Sequence, residues 1–203
     1  MSDVHPPEDR ARQRIRAAAG GDTDAFAEIY RQYQHIVYRF ACAMTGSEPA
    51  AEDITQETFV ALFRELHRYD SERASFTTYL YGIVRNLSRE RVRRERRFLS
   101  LDVLGANSAR MLDLNTPNRG LEGAELSVQI KQALRKLPPH YRELIILCDL
   151  HGMSYADAGA VTRVSTAAVR SRLHRGRQLL RRHFSRIAGT EFRGVFDTER
   201  CAI

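Results

Sequence analysis

The chain has 203 residues, 43% of them hydrophobic and 28% charged, which accommodates one or two domains with packed cores and excludes wholesale disorder. No apolar run nears the ~20 residues needed to cross a bilayer, Met1 to Glu8 carries no apolar signal segment, and three scattered cysteines, Cys42, Cys148 and Cys201, make no disulfide framework. A cytoplasmic protein without membrane insertion is expected, and its net charge of +7 rests on 32 Lys and Arg residues of which all but Lys131 and Lys136 are arginine.

In chain order, a first helix is predicted from Asp24 to Met44, with Phe26, Ile29, Tyr30, Tyr33, Ile36, Val37, Phe40, Ala41 and Met44 at helical spacing. Asp22 or Thr23 can cap its start and Gly46 its end. Ser47 caps a second helix that tolerates Pro49 in its first turn. Its inward stripe reads Ala51, Ile54, Thr58, Phe59, Leu62, Phe63 and Leu66. After a polar connection from Arg68 to Ala74, a third helix begins near Ser75 and ends in an arginine-rich stretch at Arg97.

From Phe98 to about Gly123, glycines, asparagines and Pro117 break any period, and an irregular linker is expected. Its leucines, Val103 and Met111 make it more apolar than a solvated spacer needs. A second helical block starts near Glu125 and breaks at Pro138-Pro139. A helix follows from His140 to Leu150, then a short one from Ser154 to about Val161, with Ser154 and Asp157 as a capping pair. Ser165 caps the last helix, which runs to about Ile187. With no strand-like alternation, the fold class is all-α, two small helical domains joined by an irregular linker, the second with a helix-turn-helix. The divisions are an N-terminal extension (1–21), a first domain (22–97), the linker (98–124), the second domain (125–187) and a C-terminal tail (188–203).

Three constellations carry chemistry. The last helix turns Val169, Leu173, Gly176 and Leu180 inward and Ala167, Arg170, Ser171, His174 and Gln178 outward. Seven arginines follow Ser165 with no acid before Arg186, a charge that a polyanion answers best. A second basic track, Arg85 to Arg97, holds seven arginines against Glu90 and Glu95. Tyr69, Phe76, Tyr79 and Tyr81 lie just upstream, a pairing that suits single-stranded DNA, although Phe76 and Tyr79 also fit the core stripe. The second helix instead gathers Glu48, Glu52, Asp53 and Glu57 around Gln56; the helix dipole accounts for the early acids, and Glu57 points to a docking surface. No phosphate loop, dinucleotide fingerprint, zinc motif or paired Cys-x-x-Cys appears. Cys148 and His151 have ligand spacing but read as structural, so no enzyme, catalytic residue, cofactor or metal site is expected.

In this order the motifs resemble the extracytoplasmic-function (ECF) group of bacterial RNA polymerase sigma factors. The stretches that carry the resemblance are Ala51 to Phe59 (AEDITQETF), Phe76 to Asn86 (FTTYLYGIVRN), Leu137 to Leu144 (LPPHYREL), Ser154 to Asp157 (SYAD) and Val169 to Leu173 (VRSRL). The resemblance implies that Asp53, Gln56, Glu57 and Phe59 dock on the clamp helices of the polymerase's largest subunit. It implies that the loop from Tyr69 to Ser75, with Arg85, Asn86 and Arg89, captures the melted minus-ten element around a flipped base. Thr166, Ala167, Arg170, Ser171, His174 and Arg175 would read the minus-thirty-five element in the major groove. The linker would thread towards the RNA exit path, and an anti-sigma factor is an implied partner beside core polymerase and promoter DNA. The chain departs from the family at Thr162-Arg163, where Leu-Gly is usual. A differently shaped turn is therefore expected, and Ala158-Gly159-Ala160 predicts a weak preceding helix.

Two other readings stay open on the sequence. One is a helix-turn-helix regulator that binds duplex DNA without polymerase. The other is an interaction protein whose acidic helix and linker bind a partner while the arginines hold RNA.

Overall fold

The computed structural model describes residues 8–101 and 129–188. The apolar linker beyond Leu101, residues 125–128 and the tail with Cys201 lie outside the described residues. The first group of helices is α1 (Glu8–Ala19), α2 (Thr23–Thr45), α3 (Glu48–Glu65) with a 3-10 turn at Leu66–Arg68, and α4 (Phe76–Leu101). The second is α5 (129–135), α6 (Pro139–Ile145) running on as a π-helical turn at Ile146–Leu150, α7 (Tyr155–Thr162) and α8 (Thr166–Ala188). No strand occurs among the described residues, and the all-α expectation holds.

Local chemistry sets the boundaries. Asp22 Oδ1 accepts from the amides of Asp24 and Ala25 at 2.9 and 3.0 Å, so α2 starts there. Gly46, at φ 72°, ends it by donating its N–H to the Cys42 carbonyl at 2.8 Å. Ser47 caps α3 and Ser165 caps α8, each through its hydroxyl oxygen. Ile29, Val37, Phe40 and Met44 of α2 meet Ile54 and Leu62 of α3 and Leu80 and Val84 of α4 in the first core.

Four features differ from the sequence reading. No element was expected before Asp24, yet α1 buries Ile15 and Ala18, and Arg14 pairs with Glu28 of α2 at 2.7 Å. The third helix continues past Arg97 to Leu101. Phe63, read as inward, is 53% exposed and meets Phe26 edge-on at 5.0 Å. The helix expected from His140 to Leu150 changes to π geometry after Ile145.

That last segment is buried all round: Leu144, Ile145, Ile146, Leu147 and Cys148 are all in the core. The reason is its position, with α8 on one side and α2 on the other. A Cβ on Gly176 would sit 3.2 Å from both Tyr141 Cβ and Ile145 Cδ1, so glycine lets α8 lie close against α6. The two helical groups therefore share a packed boundary, which the sequence did not announce.

Candidate functional site

The helix-turn-helix is assembled by short-range contacts. Ser154 Oγ accepts from the Asp157 amide at 3.1 Å and donates to Asp157 Oδ2 at 2.6 Å, fixing the start of α7. The turn that follows is not reshaped by Arg163, because Arg163 takes the left-handed conformation at φ 58°, ψ 44° that the family's glycine would adopt. The Val164 amide then donates to the Gly159 carbonyl at 3.0 Å. A Cβ on Gly159 would stand 2.8 Å from the Val164 carbonyl oxygen, so the small residue in α7 permits the tight turn.

Val169, Leu173, Gly176 and Leu180 are buried, which turns the opposite side of α8 outward. Thr166, Ala167, Arg170, Ser171, His174 and Arg175 are all exposed on it and lie within three turns. Gln178 Nε2 and His174 Nε2 lie 3.0 Å apart within one hydrogen bond. One of the seven arginines counted as uncompensated has an acid after all. Arg177 donates through Nε and Nη2 to both carboxylate oxygens of Asp149, at 3.0 and 2.6 Å. The pair is nearly buried, and the Asp149 hydrogen bonds hold the Arg177 proton more tightly than usual.

The second basic track divides. Arg85 is 6% exposed and Glu143 only 1%, and Arg85 Nε and Nη2 reach the two Glu143 oxygens at 2.9 and 3.3 Å. Asn86 is exposed, its Oδ1 at 3.4 Å from Arg85 Nη1. Arg89 is exposed too, with Nη1 3.7 Å from Glu143. Ser75 caps α4, sharing a 2.8 Å hydrogen bond with the Thr78 hydroxyl. Tyr69 is half-buried, donates to the Ala74 carbonyl at 3.0 Å and packs against Phe76 and Tyr79. Burial raises its phenol pKa. Phe76 and Tyr81 are buried, so the upstream rings chiefly build the core.

On α3, Glu52, Asp53, Gln56 and Glu57 form one exposed polar face, with Asp53 3.8 Å from Arg91 of α4. Phe59 is buried beneath it, its ring 4.7 Å from that of Tyr30. The apolar side chains that do reach the surface are Tyr30, Val60 and Phe63. Sequence reasoning missed Val60 and Phe63 as surface residues. The signal was there, since Gln56, Val60 and Phe63 follow i, i+4, i+7 on the polar face.

Among the described residues no group of three or more His, Cys, Asp or Glu could hold a metal ion. No described helix is long and apolar enough to cross a membrane. His151 is committed elsewhere, its Nδ1 sharing a 2.7 Å hydrogen bond with Tyr81 Oη. Burial, with Arg39 and His35 nearby, brings its pKa down to about 4.

This geometry has known counterparts. Residues 29–98 match the Sigma-70 region 2 family and residues 127–180 the Sigma-70 region 4 family. The ECF RNA polymerase sigma factor SigW of Bacillus subtilis is 33% identical over 178 residues, covering 84% of this chain and 95% of that protein. SigE of Mycolicibacterium smegmatis is 36% identical over 160 residues, covering 78% of this chain and 61% of that longer protein. CnrH, solved in complex with the cytosolic domain of CnrY, superposes with a TM-score of 0.61 at 27% identity, covering 83% of this chain and 93% of CnrH. RpoE of Bartonella quintana, solved with the anti-sigma factor NepR, shares the fold at a TM-score of 0.66 and 23% identity, covering 79% of this chain and 96% of that one. Two matched domains in register, with relatives of this similarity, place the chain in the ECF group of RNA polymerase sigma factors.

Proposed function

We propose that this chain initiates transcription as an alternative sigma factor, binding core RNA polymerase, recognising minus-thirty-five and minus-ten elements and promoting promoter opening. The work is binding, with no catalytic step of its own, and it takes place in the cytoplasm. The first domain, 22–97, docks on polymerase and takes the minus-ten element; the second, 125–187, takes the minus-thirty-five element.

The observation that carries this reading is the coexistence of an exposed, arginine-bearing face on α8 with an exposed acidic face on α3. A duplex-only regulator has use for the first and none for the second. Arg170, His174 and Arg175 supply hydrogen-bond donors towards base edges and phosphates, while Thr166, Ala167 and Ser171 leave room for close approach. On α3, Asp53, Gln56 and Glu57 contact the clamp helices, Val60, Phe63 and Tyr30 add apolar area, and Phe59 sets the shape from below. Tyr69 and Ser75 with Arg85, Asn86 and Arg89 line the path of the melted strand. Solved relatives are held in complexes with anti-sigma factors or a cytosolic partner domain, which supports an anti-sigma factor as a further partner here.

Substituting Asp53→Ala with Gln56→Ala tests the assignment. Promoter-dependent transcription should fall at least tenfold while affinity for duplex promoter DNA stays within twofold. Equal loss of both would remove α3 from polymerase docking.

A further inference from the structure

One stripe of α4 is occupied by the second domain along most of its length. Thr78 Oγ1 donates to Asp157 Oδ1 at 3.2 Å, and Tyr81 Oη meets His151 Nδ1 at 2.7 Å. Arg85 is clamped by Glu143 and also donates to the Thr162 carbonyl at 3.5 Å, and Arg89 faces the same Glu143 at 3.7 Å. Positions 78, 81, 85 and 89 follow the i, i+3 or i+4 rhythm of one helix face. Every one of these contacts is polar.

A second set of bonds closes the other end of the boundary. α2 has no basic residue in its last turn, so its terminal carbonyls lack cationic partners of their own. Arg142 of α6, itself buried, reaches across and donates Nη1 to the Met44 carbonyl at 2.6 Å. The Arg135 side chain fills the space beside Gly46, where a Cβ would lie 2.6 Å from Arg135 Cδ.

We propose that the chain restrains itself: with no partner bound, the second domain covers the strand-capturing stripe of α4, and Glu143 occupies the guanidinium of Arg85 that DNA must engage. This rests on the functional reading above, which gives Arg85 and Arg89 to the melted minus-ten strand. A carboxylate and a phosphate are rival anions for the same donors, and Glu143 cannot hold Arg85 while DNA does. The restraint is one-sided, because Thr166, Ala167, Arg170, Ser171, His174 and Arg175 remain exposed on α8. The closed chain can touch duplex DNA and cannot capture a single strand. Polymerase binding favours an open form, separating the domains and releasing α4. A boundary made of hydrogen bonds and a buried ion pair suits such a switch. Buried ion pairs add little net stability compared with apolar packing, yet break sharply when one partner is lost.

The test uses the full chain with Cys201→Ser and dyes on Arg31→Cys of α2 and Gln178→Cys of α8, since Cys42 and Cys148 are buried. Energy transfer is read for the free protein, with core polymerase, and for Glu143→Gln. Affinity is read in parallel for a mixed-sequence single-stranded oligonucleotide and for its duplex. High transfer in the free chain, a fall on adding polymerase, and a fall in Glu143→Gln with roughly tenfold tighter single-strand binding and unchanged duplex binding are expected, because apparent affinity scales with the open fraction. Tyr81→Phe should shift both readouts the same way by a smaller factor, and it carries the test if Glu143→Gln does not fold. Low transfer in the free wild type overturns the proposal. So does a folded variant that opens without gaining single-strand affinity, or polymerase binding that leaves transfer unchanged. High transfer with no binding to polymerase overturns the functional reading and leaves the closed form standing.

Discussion

Arg177 and Asp149 form a two-pronged ion pair at 3.0 and 2.6 Å that fastens α8 to the π-helical turn after α6. The side chain is basic by sequence and structural by position. Its neighbours Arg170, Arg175 and Arg181 are exposed on the same helix, so one stretch of sequence mixes a scaffold arginine with recognition arginines.

Removing one partner of this nearly buried pair leaves the other charge without its counter-ion. Asp149→Asn should destabilise the second domain by about 3 kcal/mol. Urea denaturation followed by helical circular dichroism measures it. DNA affinity of the folded fraction should keep its salt dependence.

Arg170→Ala and Arg181→Ala should behave differently from each other. Arg170, on the outward face near the start of α8, contacts bases in this account, so its loss relaxes sequence preference by about 1–3 kcal/mol at one position. Arg181, on the phosphate side, should weaken matched and mismatched promoters alike and reduce the salt slope by roughly one. Competition binding at several salt concentrations separates the two. Identical behaviour would displace the recognition face.

Arg163 is the one non-glycine at positive φ among the described residues. Arg163→Gly should raise stability by up to about 1 kcal/mol by relieving the left-handed strain, an effect partly offset by greater freedom of the unfolded chain. Gly159→Ala should do the reverse and by more, since the added methyl meets a backbone carbonyl at 2.8 Å. Thermal melts of the two variants check the pair.

Phe59 and Phe63 sit one turn apart and should separate stability from docking. Phe59 is 4% exposed, and Phe59→Ala should lose about 3–5 kcal/mol of stability. Phe63 is 53% exposed, and Phe63→Ala should cost far less stability while weakening polymerase binding by about 1 kcal/mol or more. A melt and a polymerase titration of each variant give the four numbers needed.

The domain boundary should weaken in acid. His151 is held neutral in the closed form, its pKa down to about 4 from an ordinary 6.5, by burial and by Arg39 and His35. Because the open form binds the proton more readily, closure is fully stable above pH 6.5 and loses stability as pH falls towards 4. At pH 5 the loss should be about 1–2 kcal/mol. Hydrogen exchange of α4 amides should accelerate between pH 7.5 and 5 beyond the intrinsic change, and His151→Gln should flatten that response.

The helices were legible in the sequence because their caps are local chemistry. Asp22, Gly46, Ser47, Ser154 and Ser165 act within a few residues of themselves, and the inward stripe of α8 follows from spacing alone. The outward face of α8 and the polar face of α3 came with them. What the sequence hid joins distant positions: Arg85 to Glu143 across 58 residues, Arg177 to Asp149 across 28, Tyr81 to His151 across 70. A charge count cannot tell a paired arginine from an available one. Phe59 and Phe63 show a similar limit, since an apolar residue at the edge of a stripe is buried or exposed according to its neighbours. The turn at Arg163 misled in the opposite direction, because surrounding packing and the Val164–Gly159 hydrogen bond impose a conformation that arginine disfavours by itself.

The most direct measurement of the central claim mixes the purified chain with bacterial core RNA polymerase freed of any sigma subunit. Co-elution and promoter-dependent run-off transcription are then followed. The account predicts a stable complex that starts transcription at a defined position, and loss of both when Asp53 and Gln56 are replaced by alanine. A folded chain that binds duplex DNA yet neither co-elutes nor initiates would contradict it.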